Sequence, residues 1–352
     1  MGPSSMTSQM IPTLSRVLIL GLAFLSLAGR PARSQEEPKT NPLVDASEHL
    51  LSLLNADERR VALLPFDDPR RLDWGCGERL YRRGLPLEFA AGNRAIRHAL
   101  SPLLKSLAVL PTLDPVLVEL GDETETKPLS AHAISDNCHL TLFGRPGPAS
   151  RWSLSLEGSR ISLNFVVDQG RIVSSTPQMI AWRGDDFANG IPGWDPRRVP
   201  DGMRELVATF STAQRERAAY RESPAAVIAS EGEAQVPLAP PLGLRYSELD
   251  PVQQELARRP VVDMCRMLPQ EVANERLRTI AERGWDEVHF GWAGSENRKE
   301  PHSFRIQGPT FLLECVATVS DEFSGDGAVD TWQCVWRSRQ GDFGLPLVGD
   351  SN

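Results

Sequence analysis

The sequence predicts an α+β fold of two pseudo-repeated halves, each a set of helices followed by an antiparallel β-hairpin, forming one composite domain. Two observations carry that expectation. Residues 153–166 (SLSLEGSRISLNFV) align without a gap on residues 303–316 (SFRIQGPTFLLECV), 150 positions later, and a Phe-Gly pair precedes each stretch, Phe143-Gly144 and Phe290-Gly291. Self-similarity at that distance marks an internal duplication. In both stretches apolar and polar residues alternate on either side of a glycine, as two strands joined by a tight turn require.

Residues 1–34 are set apart from the fold. Arg16 precedes a 13-residue apolar run, 17–29, and small residues offer cleavage after Ala28 or after Ser34. That is the layout of a secretory signal peptide, and the run is shorter than the ~20 residues that span a bilayer. An uncleaved membrane tether is the alternative. The expectation is an exported chain, periplasmic or extracellular, with no integral membrane span once the signal is removed. Removal takes away Arg16, Arg30 and Arg33 and no acid, so the net charge moves from −8 to −11. A chain this acidic repels phosphate backbones, and nucleic acid is excluded as an expected partner.

The first half is assigned to residues 35–183. Asn41 caps a helix that begins at Pro42 and carries Leu43, Leu50, Leu51, Leu54, Val61 and Leu64 at helical spacing. A loop rich in charge and glycine, with Trp74, leads to a second helix over about 87–107, a short helix near Val116 and the hairpin 139–177. Residues 184–242 form a connection. It contains a Gly-, Pro- and Asp-rich stretch, a helix from about Ser211 with Phe210, Ala213 and Tyr220, and a low-complexity run, 223–242, read as a mobile loop. The second half, 243–348, restarts at Gly243-Leu244, an echo of Gly84-Leu85. Asp250, Pro251 and Gln253 make a capped helix start. Helices 250–268 and 270–283 precede the second hairpin, 287–319, and strand 331–337 closes the half.

The strands carry a polar face. Ile161, Leu163, Phe165 and Val167 point one way, and Arg160, Ser162 and Asn164 the other. In the second copy Phe311, Leu313, Cys315 and Ala317 match the apolar set, while Thr310 and Glu314 match Arg160 and Asn164. On the last strand Trp332, Cys334 and Trp336 alternate with Thr331, Gln333 and Arg337. Two readings stay open: a face that is simply wet, or Asn164 and Glu314 facing one shared polar cavity. Of the five cysteines at least one stays unpaired, and Cys315 with Cys334, on the apolar faces of neighbouring strands, are expected as buried thiols. The six histidines form no ligand pair at helical spacing, and no zinc, nucleotide or serine-hydrolase signature occurs.

The landmarks Pro65-Phe, Arg71, Trp74, Arg83-Gly-Leu, Leu142-Phe-Gly-x-Pro and Trp152-x-Leu-x-Leu-Glu-Gly158 occur in that order. Asn164-Phe, Ser175-Thr-Pro177, Phe290-x-Trp292-x-Gly294, Phe304-Arg-Ile-x-Gly-Pro309, Leu-Glu314, Val335-Trp-Arg337 and Asp342-Phe-Gly344 follow. Together, over roughly residues 60–344, they resemble the domain-of-unknown-function family 3500. The resemblance implies a His-His pair after the Glu-Gly turn and a His-x-His on the last strand, a set suited to metal binding or acid–base chemistry. This sequence has Ser159-Arg160 and Thr331-x-Gln333 there. A guanidinium repels a cation, so no metal is expected.

Three readings of function follow. In the first, the chain binds an unknown small polar ligand at an altered site, through Arg160, Asn164, Arg305 and Arg337 beside Glu314, with Trp152, Trp292 or Trp332 as stacking walls. The second is an exported hydrolase with Glu314 and Asp342 as acid and base, with or without a metal. The third is an interaction protein that meets a partner through its Pro-rich loops. The sequence leaves the cofactor, if any, unknown.

Overall fold

The computed structural model describes residues 41–76, 84–87, 93–107, 138–184, 195–236, 239–319 and 327–346. The short helix expected near Val116 lies outside them. Asn41 caps α1 (Pro42–Leu53) by accepting from the amides of Leu43 and Val44. The single helix expected over this stretch is divided. Asn55 starts α2 (Ala56–Ala62) with a capping box closed by Glu58, because an Asn that can bond two amides competes with helix continuation. Asn93 caps α3 (Arg94–Lys105). A helix missed in the sequence, α4 (Arg198–Ala208), precedes α5 (Thr212–Ala218). Pro200 and Gly202 disguised it, yet proline is tolerated in a first turn, where its missing N–H has no partner to lose. The second half contributes α6 (Pro251–Cys265) and α7 (Gln270–Arg283).

The strands, among the described residues, form one 12-stranded sheet. The first half supplies β1 (Leu63–Leu64), β2 (Leu85–Pro86), β3 (His139–Phe143), β4 (Arg151–Glu157), β5 (Ile161–Asp168), β6 (Arg171–Ser174) and β7 (Gln178–Arg183). The second supplies β8 (Leu244–Arg245), β9 (His289–Gly294), β10 (His302–Gln307), β11 (Phe311–Thr318) and β12 (Thr331–Ser338). The order is β1-β3-β4-β5-β7-β12-β11-β10-β9-β8, with β2 on β3 and β6 on β5. In the middle of the sheet β7 and β12 run antiparallel, and Trp182 stacks on its partner Trp332 at 6.1 Å.

Several registers recur at a spacing of 150 residues. His139 faces Glu157 as His289 faces Gln307, and Ser155 faces Asn164 as Arg305 faces Glu314. Leu85 pairs with Leu140 as Leu244 pairs with Phe290. The repeated Gly-Leu has a steric cause: a Cβ at Gly84 would lie 2.2 Å from the Leu140 carbonyl oxygen, and one at Gly243 2.3 Å from that of Phe290. The Phe-Gly pairs are not equivalent, since Phe143 faces Ser153 whereas Phe290 faces Ile306.

One face of the sheet carries Trp152, Leu163, Phe165, Ile180, Phe304, Phe311 and Leu313 into the main core under the helices. Each such side chain contributes about 1.5–3 kcal/mol by leaving water. Cys315 and Cys334 belong to this face and stand directly opposite each other, Cα to Cα 4.2 Å, in a disulfide. This corrects the expected pair of buried thiols: the register brings the two Cβ atoms within bonding reach. Cys76, Cys138 and Cys265 are free and buried.

The other face is covered by irregular chain. Trp74, Cys76, Ile228 and Phe343 pack there on Met179, Ala181, Val316 and Val335. The run 223–242, expected as a mobile loop, crosses this face as a strap, with Ile228, Ser230 and Val236 buried. Its low complexity concealed two anchors, because the groups that hold it are backbone carbonyls with no sequence signature.

Candidate functional site

The strapped face carries two polar clusters, one in each half. In the second half Arg305 on β10 stands opposite Glu314 on β11. Arg305 Nε lies 3.7 Å from Glu314 Oε1, and the two side chains keep 16% and 15% of their exposure. Alternation brings both to this face, since Phe304 and Leu313 beside them go to the core. The pair is not a completed hydrogen bond: Arg305 Nε is buried and has no hydrogen-bond partner. Burial raises the Glu314 carboxyl above its ordinary value, with Arg305, Arg337 and the Ser230 hydroxyl pulling the other way.

Arg337 and Asp342 belong to the same neighbourhood but are sealed, both at 0% exposure. Arg337 Nε donates to Asp342 Oδ2 at 2.6 Å, Nη1 to the carbonyl and hydroxyl of Ser230, and Nη2 to the Glu233 carbonyl. Its guanidinium lies 4.6 Å from the centre of the Trp74 ring, whose Nε1 also donates to the Glu233 carbonyl. Asp342 Oδ1 accepts from the Ser338 amide. Burial pushes the Asp342 carboxyl up, and Arg337 opposes it. This is a clamp that ties the strap to β12, with every group engaged inside the protein.

Asn164 and Arg160 lie in the first half. Asn164, buried, donates from Nδ2 to Ser162 Oγ and to the Pro177 carbonyl, and Ser162 donates to Glu157 Oε1. Arg160 lies in the β4–β5 turn, where its carbonyl accepts from Ala181. Asn164 and Glu314 hold equivalent registers on one face, but β7 and β12 separate their strands. Three strand spacings alone put them about 14 Å apart or more, with Met179 and Val335 on the two strands between. Two clusters replace the single shared cavity.

The positions at which the resemblance implies histidines converge. Ala181 bonds Arg160 through its amide and pairs in register with Gln333, and Arg183 pairs with Thr331. Positions 159–160 and 331–333 therefore meet at one end of β7. Among the described residues no group of three or more His, Cys, Asp or Glu is placed to hold a metal ion. The tryptophans expected as stacking walls face the helices: Trp152, Trp292 and Trp332 belong to the main core. Trp74, from the charged loop, and Phe343 are aromatic rings on the strapped face.

Four further residues shape the second cluster. Gln307, two along from Arg305 on the same face, donates from Nε2 to the Ala239 carbonyl, while its buried Oε1 has no partner. Arg339 Nη1 donates to the same carbonyl at 3.3 Å. Tyr220 Oη hydrogen-bonds Ser303 Oγ at 2.8 Å, and burial raises the phenol. Ser230 reaches in from the strap. The alternation that exposed Arg305 also pointed to Gln307; nothing in the sequence pointed to Tyr220 or Ser230.

The profile of one family, described as a protein of unknown function (DUF3500), matches residues 36–345. No curated protein and no solved structure matches the chain.

Proposed function

The chain belongs to the DUF3500 family of proteins of unknown function, and on that premise we propose that it is an exported protein that binds a small polar ligand at the Arg305–Glu314 cluster. The observation that carries this reading is the incomplete pair itself. A guanidinium and a carboxylate face each other at 3.7 Å, partly open to solvent, with Arg305 Nε unpaired. A buried donor left without a partner costs about 1–3 kcal/mol, which a ligand atom would recover. The hydrolytic alternative needs Asp342 free to act as acid or base, and both of its oxygens are engaged, one by Arg337 and one by the Ser338 amide.

Two further parts of the reading have support of their own. Export is supported by the basic and apolar start of the sequence and by the Cys315–Cys334 disulfide, a bond that persists in oxidising compartments. Duplication of an ancestral half is supported by the shared registers and by the two glycines that each admit a neighbouring carbonyl. In this history the first-half cluster kept Ser155 and Asn164 where the second acquired Arg305 and Glu314.

The test is a thermal-shift screen of sugars, organic acids and amino acids on the mature chain, repeated on Glu314→Gln and Arg305→Met. A ligand that raises the melting temperature of the parent but of neither variant supports the site. Equal shifts in all three proteins would place binding elsewhere.

A further inference from the structure

The second cluster also states what kind of ligand it takes, and this step rests on the binding reading above. We propose that the ligand is a small hydroxy-carboxylate: an organic monoanion that offers a carboxylate to Arg305 and Arg339 and a hydroxyl donor to Gln307 Oε1.

The charge balance gives the anion. Three guanidiniums gather here, those of Arg305, Arg337 and Arg339. Arg337 is neutralised by Asp342 in the clamp. Among the described residues, that leaves Arg305 and Arg339 with Glu314. Burial and the charge of Arg305 both lower the Arg339 pKa, so the two cations feel each other. Glu231, on the strap, accepts from the Cys76 amide. Burial raises the Glu314 carboxyl, and Arg305, Arg337 and Ser230 oppose that shift. An incoming carboxylate supplies what is missing, and guanidiniums bind carboxylates with paired, charge-assisted hydrogen bonds.

The hydroxyl follows from the second unpaired atom. Arg305 Nε is a donor without an acceptor, and Gln307 Oε1 is an acceptor without a donor. Gln307 is 1% exposed, and its amide is oriented by the Nε2 bond to Ala239, so Oε1 cannot turn to solvent for a partner. Residues two apart on a strand lie about 7 Å apart on one face. A carboxylate at Arg305 with a hydroxyl one or two carbons away reaches Gln307 across that gap. Leu312, opposite Gln307, is fully buried.

The probes are glycerate and glucuronate, their neutral amides glyceramide and glucuronamide, and propionate, titrated calorimetrically into the mature chain at pH 7. The expected result is binding of both hydroxy acids, at least tenfold weaker binding of the amides, and a similar loss for Arg305→Met and Arg339→Gln. Gln307→Leu is expected to weaken glycerate while leaving propionate unchanged. If the amides bind as well as the acids and that binding needs Arg305, the anion assignment is overturned and the polar-ligand reading stands. If no probe binds, or binding survives Arg305→Met together with Glu314→Gln in variants that melt cooperatively, the reading and the assignment both fall.

Discussion

Replacing Asp342 by asparagine removes a charge from a place with no water. Arg337 and Asp342 are both at 0% exposure and joined at 2.6 Å. An asparagine keeps the acceptor for the Ser338 amide but turns either a neutral oxygen or an amide N–H toward Arg337. The guanidinium then stays buried with its charge uncompensated, and breaking one side of a buried pair in this way costs about 3–5 kcal/mol. Removing both charges in an Arg337→Met, Asp342→Leu double variant is expected to cost less than the two single changes together, since well-packed apolar groups often replace a buried pair without loss. Urea unfolding of the parent, both single variants and the double variant at pH 7 gives the coupling energy. An Asp342→Asn loss under about 1 kcal/mol would refute the clamp. Asp342 would then be accessible, and it would return as a candidate acid or base.

Three other outcomes follow from the same geometry. His302 donates from Nδ1 to the Glu300 carbonyl and meets Arg204 Nη2 at 3.2 Å through Nε2, so it is held neutral, and burial lowers its pKa from 6.5 to about 4. The unfolded chain then binds the extra proton between those values. The His302 contribution is present above pH 6.5 and is lost as pH falls toward 4, up to about 3 kcal/mol; His302→Gln should flatten that slope in urea midpoints taken from pH 7 to 4. Glu314 has the opposite sign: with its carboxyl raised by burial, its contribution is full below pH 4.5 and declines as pH rises through the folded value. Glu314→Gln should remove that decline, and a variant that still loses stability in the same window would show that another group titrates there. Reducing the Cys315–Cys334 bond, which closes a separation of 19 residues, is expected to cost about 3 kcal/mol from the freed loop entropy of the unfolded chain. A melting temperature unchanged by reductant, with free thiols verified, would contradict it.

Sequence alone determined the parts of this protein that repeat or alternate. The gapless match of 153–166 with 303–316 anticipated two strand pairs of identical register, because a one-residue slip would turn every apolar side chain to the wrong face. The same alternation placed Arg305 and Glu314 on the face opposite Phe304 and Leu313. The ordered landmarks from Pro65 to Gly344 located the family. Tertiary structure alone decided which polar residues meet. Asn164 and Glu314 looked like partners by position, yet two intervening strands keep them apart. Arg337 and Asp342 looked like surface chemistry, yet the strap buries them as a clamp. The strap itself looked mobile because its composition is poor in apolar periodicity, whereas its hold on the sheet comes from the carbonyls of Ser230 and Glu233. Backbone carbonyls are the same in every residue, so where they accept a hydrogen bond is written in the path of the chain and not in its letters.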